Sequence, residues 1–95
     1  MIVDLLKFTA KTECLEAVIQ HMKTQIEQNK SDEGCLLSHV FQSKKNPDEL
    51  FMLLGWESPE AVEKHLAAPH DAEFRVNVDD KIAGPPEFFE WSMLL

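Results

Sequence analysis

The segment CLLSHVFQSKKNPDELFMLLGWE, residues 35–57, decides the fold. Its two apolar runs, Cys35–Ser43 and Glu49–Glu57, are separated by the polar stretch Lys44–Asp48. That stretch contains the Asn-Pro pair that is typical of turns. We predict that the two runs are strands of an antiparallel hairpin.

The pattern within these strands predicts that both faces of the sheet are covered. An antiparallel sheet with one face in water normally alternates apolar and polar residues. Neither Phe51-Met52-Leu53-Leu54 nor Cys35-Leu36-Leu37 alternates, and Val40-Phe41 is another adjacent apolar pair. Helices can cover only one face, and the simplest cover for the other is a second copy of the chain. We therefore expect a homodimer.

The flanking sequence adds two strands and three helices. Ile2–Phe8 and Glu87–Leu94 are predicted strands. A helix is predicted over residues 12–29, where apolar residues recur every three to four positions. Ser58-Pro59-Glu60 is typical of a helix start, Pro69 ends that helix, and a third helix is predicted over residues 71–83. The order β-α-β-β-α-α-β is a ferredoxin-like α+β plan with its second helix broken in two.

Length and charge limit the function. A chain of 95 residues is enough for one domain, residues 1–95. The net charge of -8 predicts an acidic surface that repels phosphate backbones and anionic lipid, so we expect neither nucleic-acid nor membrane partners. Cys14 and Cys35 form no CxxC motif, and they fit a reduced, cytoplasmic protein.

Cofactor motifs are absent from the sequence. There is no GxGxxG, Walker loop or HExxH, and the three glycines, Gly34, Gly55 and Gly84, are not clustered. We therefore expect no flavin, nicotinamide, heme or metal, and chemistry that uses side chains and a reactive substrate.

Two histidines are the candidate catalytic residues. His65 shares a helix face with Val62 and Leu66, where desolvation would favour a neutral, base-competent ring. A core histidine with one satisfied hydrogen bond is the alternative. His70 follows Pro69 at the start of the next helix, and there the alternative is a helix-start residue. A metal site with Asp71 is disfavoured because no third and fourth ligands are evident.

A small set of residues could bind substrate, although each aromatic or apolar one, taken alone, is more simply a core residue. Aromatic and apolar side chains could line a pocket for an aromatic molecule, a strand histidine could point into it, and an arginine could hold an anion. The candidates are Trp56, Phe74, Met52, Phe41, His39 and Arg75.

Three motifs resemble the antibiotic biosynthesis monooxygenase (ABM) domain family: Gly34-Cys35-Leu36, Trp56-Glu57-Ser58 and His65-Leu66-Ala67-Ala68-Pro69-His70. The resemblance covers nearly the whole chain. It implies a dimeric α+β barrel whose two sheets face each other, with a pocket in each protomer between sheet and helices. The chain departs from the family pattern in having no Tyr. It also lacks the ligand histidine that the heme-degrading branch would need near Phe74 or Arg75.

The resemblance implies three possible functions. The first is cofactor-independent oxygenation of a quinol or hydroxy-aromatic molecule, with His65 or His70 as the base. The second is an isomerase of the autoinducer-degrading type, which would need a basic anion site, for instance at Arg75 and Lys64. The third is a non-catalytic dimeric binding or stress module.

Overall fold

The computed structural model describes residues 1–95 and confirms the α+β class. Four strands and three α-helices follow the predicted order, with a short 3-10 turn at Thr12–Cys14 before the first helix. In chain order the elements are β1 (Ile2–Thr9), α1 (Leu15–Lys30), β2 (Cys35–Gln42), β3 (Glu49–Trp56), α2 (Pro59–Leu66), α3 (Pro69–Asp79) and β4 (Glu87–Ser92).

The four strands form one antiparallel sheet in the order β2-β3-β1-β4. Directly paired residues point to the same side of a sheet, so the register defines its two faces. Asp4 on β1 pairs with Leu54 on β3 and with Glu90 on β4, and Leu54 pairs with Ser38 on β2. These residues all belong to the face that the helices cover.

The core lies between that face and the helices. Alternate residues of β3 are buried there, and Val18 and Met22 of α1 pack against them with no exposed surface. The side chain of Ser58 accepts a hydrogen bond from the backbone N–H of Ala61 at 3.3 Å, which confirms the predicted cap of α2. The β3 residues on this face are Leu50, Met52, Leu54 and Trp56.

The other face of the sheet has no cover within one chain. Phe41, Phe89 and Trp91 are 53%, 45% and 50% exposed, and the last two rings stack with centroids 6.1 Å apart. Phe51 and Leu53 of β3 lie on the same face and are half-buried. We call this surface the open face.

Both predicted ends of the third helix are corrected. Helix α3 begins at Pro69 rather than Asp71, because the fixed φ of proline suits the first helical position. It ends at Asp79 rather than Ala83, and Ile82 forms an isolated bridge with Ala10 instead. None of the helices combines the length and apolar character needed to cross a membrane.

Candidate functional site

A cavity of about 530 Å³ lies between the helix-covered face of the sheet and helices α1, α2 and α3. Its wall is mostly apolar, and its polar groups include several that can ionise. The apolar part includes Leu6, Phe8, Met52, Leu54, Phe74, Val78 and Phe88, and the ionisable groups are Asp4, His65, Asp71, Arg75 and Asp79. A cavity of this volume and composition is typical of sites that bind small organic molecules.

His65 lies at the wall of the cavity with a carboxylate on each side of its ring. Its Nδ1 is 2.8 Å from Oδ2 of Asp32, and its Nε2 is 3.3 Å from Oδ1 of Asp71. An ionised carboxylate can only accept hydrogen bonds, so a ring that donates to both must carry a proton on each nitrogen. When it is protonated and paired with both carboxylates, His65 has no free lone pair with which to act as a base.

His70 joins the same cluster through Asp32. Its Nε2 is 2.9 Å from Oδ1 of Asp32, and its Nδ1 is 3.4 Å from Oε1 of Gln25. Asp32 comes from the loop between α1 and β2, so its carboxylate joins α2 to α3. We call Asp32, His65, His70 and Asp71 the Asp32 network.

The carboxylates of the Asp32 network shift the pKa of His65 in the direction opposite to the one predicted from its burial. Burial alone would lower the pKa of His65, but hydrogen bonds to Asp71 and Asp32, together with their charges, raise it above 6.5. Burial tends to raise the pKa of Asp71, but His65 and the Arg75 guanidinium lower it below 3.8. Arg75 makes a 2.9 Å ion pair with Oδ2 of Asp71. Burial, on which the prediction of a neutral His65 was based, is therefore outweighed by the two neighbouring carboxylates in setting the direction of its pKa.

Asp4 is a second buried acid in the cavity wall. It is 5% exposed, and its Oδ1 has no hydrogen-bond partner. Burial raises the pKa of Asp4 from 3.8 to about 6, helped by the negative charge of its cross-strand partner Glu90. The side chain of Trp56 and the charge of His65 oppose this rise. Asp4 thus combines a desolvated carboxyl group with unused hydrogen-bonding capacity.

Comparison with known proteins identifies the family. The family model for antibiotic biosynthesis monooxygenases matches residues 1–76, which is most of the chain. The chain belongs to the ABM family. No curated protein matches this ABM domain.

Solved structures share the fold of this ABM domain. A Nitrosomonas europaea protein assigned by name to the antibiotic biosynthesis monooxygenases has a TM-score of 0.95 at 21% identity, covering 100% of both chains. A conserved protein from Methanosarcina mazei Go1 has a TM-score of 0.90 at 24% identity, covering 95% of this chain and 89% of that one. Rv0793 from Mycobacterium tuberculosis has a TM-score of 0.92 at 18% identity, covering 98% and 94%.

The cavity of the ABM domain contains four of the residues named from the sequence. Met52, Phe74, Arg75 and His65 line it. His70 lies outside it and lines a separate polar cavity of about 100 Å³.

Three other predicted site residues lie elsewhere. Trp56 is fully buried behind His65, with ring centroids 4.6 Å apart. His39 and Phe41 are on the open face, because they pair with Leu53 and Phe51. Their proposed place in the same pocket is therefore corrected: the alternation of β2 sends their side chains away from the helices.

Sequence reasoning missed Asp4 and Asp32. Asp4 sits in the first strand, where a single acid would be taken as solvent-facing, and only the sheet register shows that it faces the helices. Asp32 follows α1 in a segment recognised only as the end of a helix. The fold brings it to His65 and His70, which are far from it in the chain.

Asp32, His65 and His70 offer one ligand atom each within 4.8 Å of one another. Two imidazoles and a carboxylate could hold a divalent transition metal. The third ligand that was not evident in the sequence is therefore supplied by Asp32. The same atoms make the hydrogen bonds of the Asp32 network, so an ion would have to displace those protons.

Proposed function

We propose that this ABM domain catalyses cofactor-independent oxygenation of a hydroxy-aromatic or quinol molecule bound in the 530 Å³ cavity. The observation that carries the proposal is the composition of the cavity. It joins an apolar wall suited to an aromatic ring with a desolvated carboxyl group, Asp4, beside that wall. Base chemistry in a pocket that excludes water is what this reaction requires.

The substrate itself supplies the electrons in the proposed reaction. Removing the hydroxyl proton gives an anion that passes one electron to O2, forming an aryloxyl radical and superoxide. These combine at a ring carbon that carries hydrogen, and the resulting hydroperoxide loses water to give a quinone. One oxygen atom of O2 becomes the new carbonyl oxygen of the quinone, and the other leaves as water. The four electrons that reduce O2 come from oxidation of the hydroxy-aromatic molecule to the quinone.

The charge of the cavity favours this substrate class over a phosphorylated sugar. Asp4, Asp71 and Asp79 contribute carboxylates, whereas Arg75 is already paired with Asp71. Lys64 is outside the cavity and is paired with Glu33 at 2.8 Å. An isomerase acting on a phosphorylated ketone needs a net positive site, so the observations support it less.

We also propose that the functional unit is a homodimer joined through the open face. Phe41, Phe89 and Trp91 together form an apolar surface of a kind that monomeric proteins rarely leave in water. A second copy would bury the same rings on both sides of a two-fold axis. Sedimentation equilibrium at micromolar concentration is expected to give twice the 10.9 kDa chain mass.

A matched pair of α3 variants tests the oxygenase proposal. Val78→Phe fills the cavity from its wall, whereas Val76→Phe adds the same side chain at a position that is 75% exposed. Oxygen consumption is measured with a reduced naphthoquinol and with 1-naphthol, after subtracting their own reaction with oxygen. We expect wild type and Val76→Phe to exceed this background and Val78→Phe to fall towards it. A wild type that never exceeds background on these compounds contradicts the proposal.

A further inference from the structure

Asp4 is the one carboxyl group of the cavity that is both buried and left with an unpartnered oxygen. The carboxylate of Asp71 is held by His65 and Arg75 at 3.3 Å and 2.9 Å. The Oδ1 atom of Asp4 has no partner, although a buried acceptor without a hydrogen bond is costly. A native protein that keeps such a group usually reserves it for a ligand or for chemistry.

We propose that Asp4 binds the hydroxyl group of the aromatic ligand and takes its proton. This inference rests on the proposed function, and it replaces His65 and His70 as the base. Asp4 lies on β1 among Leu6, Leu54 and other apolar wall residues, so a ring held against that wall presents its hydroxyl to the carboxylate. The ligand class is therefore a neutral aromatic with a free hydroxyl.

The histidines are worse placed for this role. His65 faces a carboxylate with each ring nitrogen, and the ring cannot accept a further proton while it donates to both. His70 lines the smaller polar cavity and does not line the 530 Å³ cavity. We assign both a structural role, because through Asp32 they connect α2 to α3.

Asp4 can both remove and return the proton. The substrate O–H bond breaks and its proton moves to the Asp4 carboxylate, leaving the electron pair on the substrate oxygen. After the anion has reacted with O2, the peroxide oxygen takes the proton back from Asp4. The ring C–H proton then leaves with the distal hydroxide as water, so Asp4 ends the cycle ionised.

The groups around Asp4 define its pH range. Glu90 of β4 is its cross-strand partner, and its charge opposes ionisation of Asp4. Trp56 of β3 and His65 of α2 favour ionisation, and the remaining charges at the cavity are those of Asp71, Arg75 and Asp79 of α3. With a pKa of about 6, Asp4 is ionised at pH 8 and mostly protonated at pH 5. Activity is therefore expected to rise between these values.

Two measurements test the assignment. In the first, 1-naphthol and 1-methoxynaphthalene are titrated without oxygen at pH 8, with tryptophan fluorescence as the readout. The methoxy compound cannot donate a hydrogen bond, so wild type is expected to prefer naphthol by about tenfold. Asp4→Leu is expected to remove that preference, and Glu90→Gln is expected to keep it.

In the second measurement, oxygen consumption is compared for wild type, Asp4→Asn and Glu90→Gln. Loss of a general base is expected to slow Asp4→Asn by about 100- to 10,000-fold and to remove the rise in rate near pH 6. Circular dichroism and sedimentation check that each variant remains folded and assembled.

The outcomes separate this inference from the proposed function. If Asp4→Asn oxidises naphthol as fast as wild type, the base assignment is overturned and the oxygenase proposal stands. A further outcome is that wild type binds naphthol in preference to the methoxy compound, with Asp4→Leu lacking that preference, and yet oxidises neither. In that case the hydroxyl-binding role is supported and the oxygenase proposal fails. If wild type binds both compounds equally at pH 8, Asp4 does not bind the hydroxyl and the inference is wrong.

Discussion

Replacing Asp4 by Asn is expected to stabilise the protein at pH 8. The raised pKa of Asp4 means that the folded chain binds this proton more tightly than the unfolded chain does. Stability therefore falls as the pH rises from about 4 to about 6 and stays lower above that range. The amide cannot ionise, so the variant avoids the loss that the buried charge imposes on wild type.

The size of this effect follows from the pKa of Asp4. The folded value of about 6 lies about two pH units above 3.8, and each unit corresponds to 1.36 kcal/mol. Ionisation of Asp4 therefore costs about 3 kcal/mol of folding free energy at pH 8. Because the new amide also lacks partners, which costs about 1–2 kcal/mol, the net gain at pH 8 is about 1–2 kcal/mol. For a domain of this size, that raises Tm by roughly 5–10 °C.

Urea unfolding at pH 4 and at pH 8, at one fixed protein concentration, checks the prediction. The cost of the amide is common to both conditions, so the difference between the two pH values isolates the ionisation of Asp4. Glu90→Gln serves as the control, because it removes a neighbouring charge and should give a smaller gain at pH 8 of the same sign. An Asp4→Asn variant that is equally destabilised at both pH values would refute the reasoning.

Four further predictions concern other parts of the molecule. His65→Gln is expected to cost about 3 kcal/mol near pH 5 and less at higher pH. The charged His65 stabilises the fold fully below 6.5, and this contribution is lost as the pH rises through its raised folded pKa, which urea unfolding at increasing pH checks. Gly34→Ala should lower Tm more than Gly84→Ala: both have positive φ, but the new Cβ meets a side chain at 2.5 Å only at Gly34. Trp91→Ala should weaken the dimer, seen as a higher dissociation constant by sedimentation, and an unchanged constant would place Trp91 outside the interface. Protein purified without added metal should contain less than stoichiometric transition metal by elemental analysis, whereas one ion per chain would mean that it replaces the protons of the Asp32 network.

The fold was predictable because its signals are local. The Asn-Pro turn, the Ser-Pro-Glu cap and the spacing of apolar residues each define an element without reference to distant sequence. The adjacent apolar residues of β3 predicted that both faces of the sheet carry apolar side chains. The structure places Met52 towards the helices and Phe51 on the open face. Helix ends were less predictable, because Ile82 continues the apolar spacing of α3 although it pairs with Ala10.

The site was harder to predict because its chemistry depends on contacts between distant residues. The sequence showed that His65 would be buried, but the carboxylates that control its protonation come from another loop and from the next helix. The sequence does not distinguish Asp4 from a solvent-facing residue, because the same strand also contains the polar Lys7. The face of the sheet that a β1 side chain occupies depends on how β1 pairs with strands later in the chain. A shift of one residue in this register would move the side chain to the opposite face.

The position of β1 in the sheet has a consequence for how the chain folds during synthesis. This strand lies between β3 and β4, so it is synthesised before either of its partners, which are residues 49–56 and 87–92. Closing such long loops before any pairing is gained slows folding. The pairing of β2 with β3 joins strands that are adjacent in the chain, so this hairpin can form earlier and offer β1 a template. Synthesis of β4 then completes the sheet, so its pairing with β1 is the step that gives the nascent chain its final strand order.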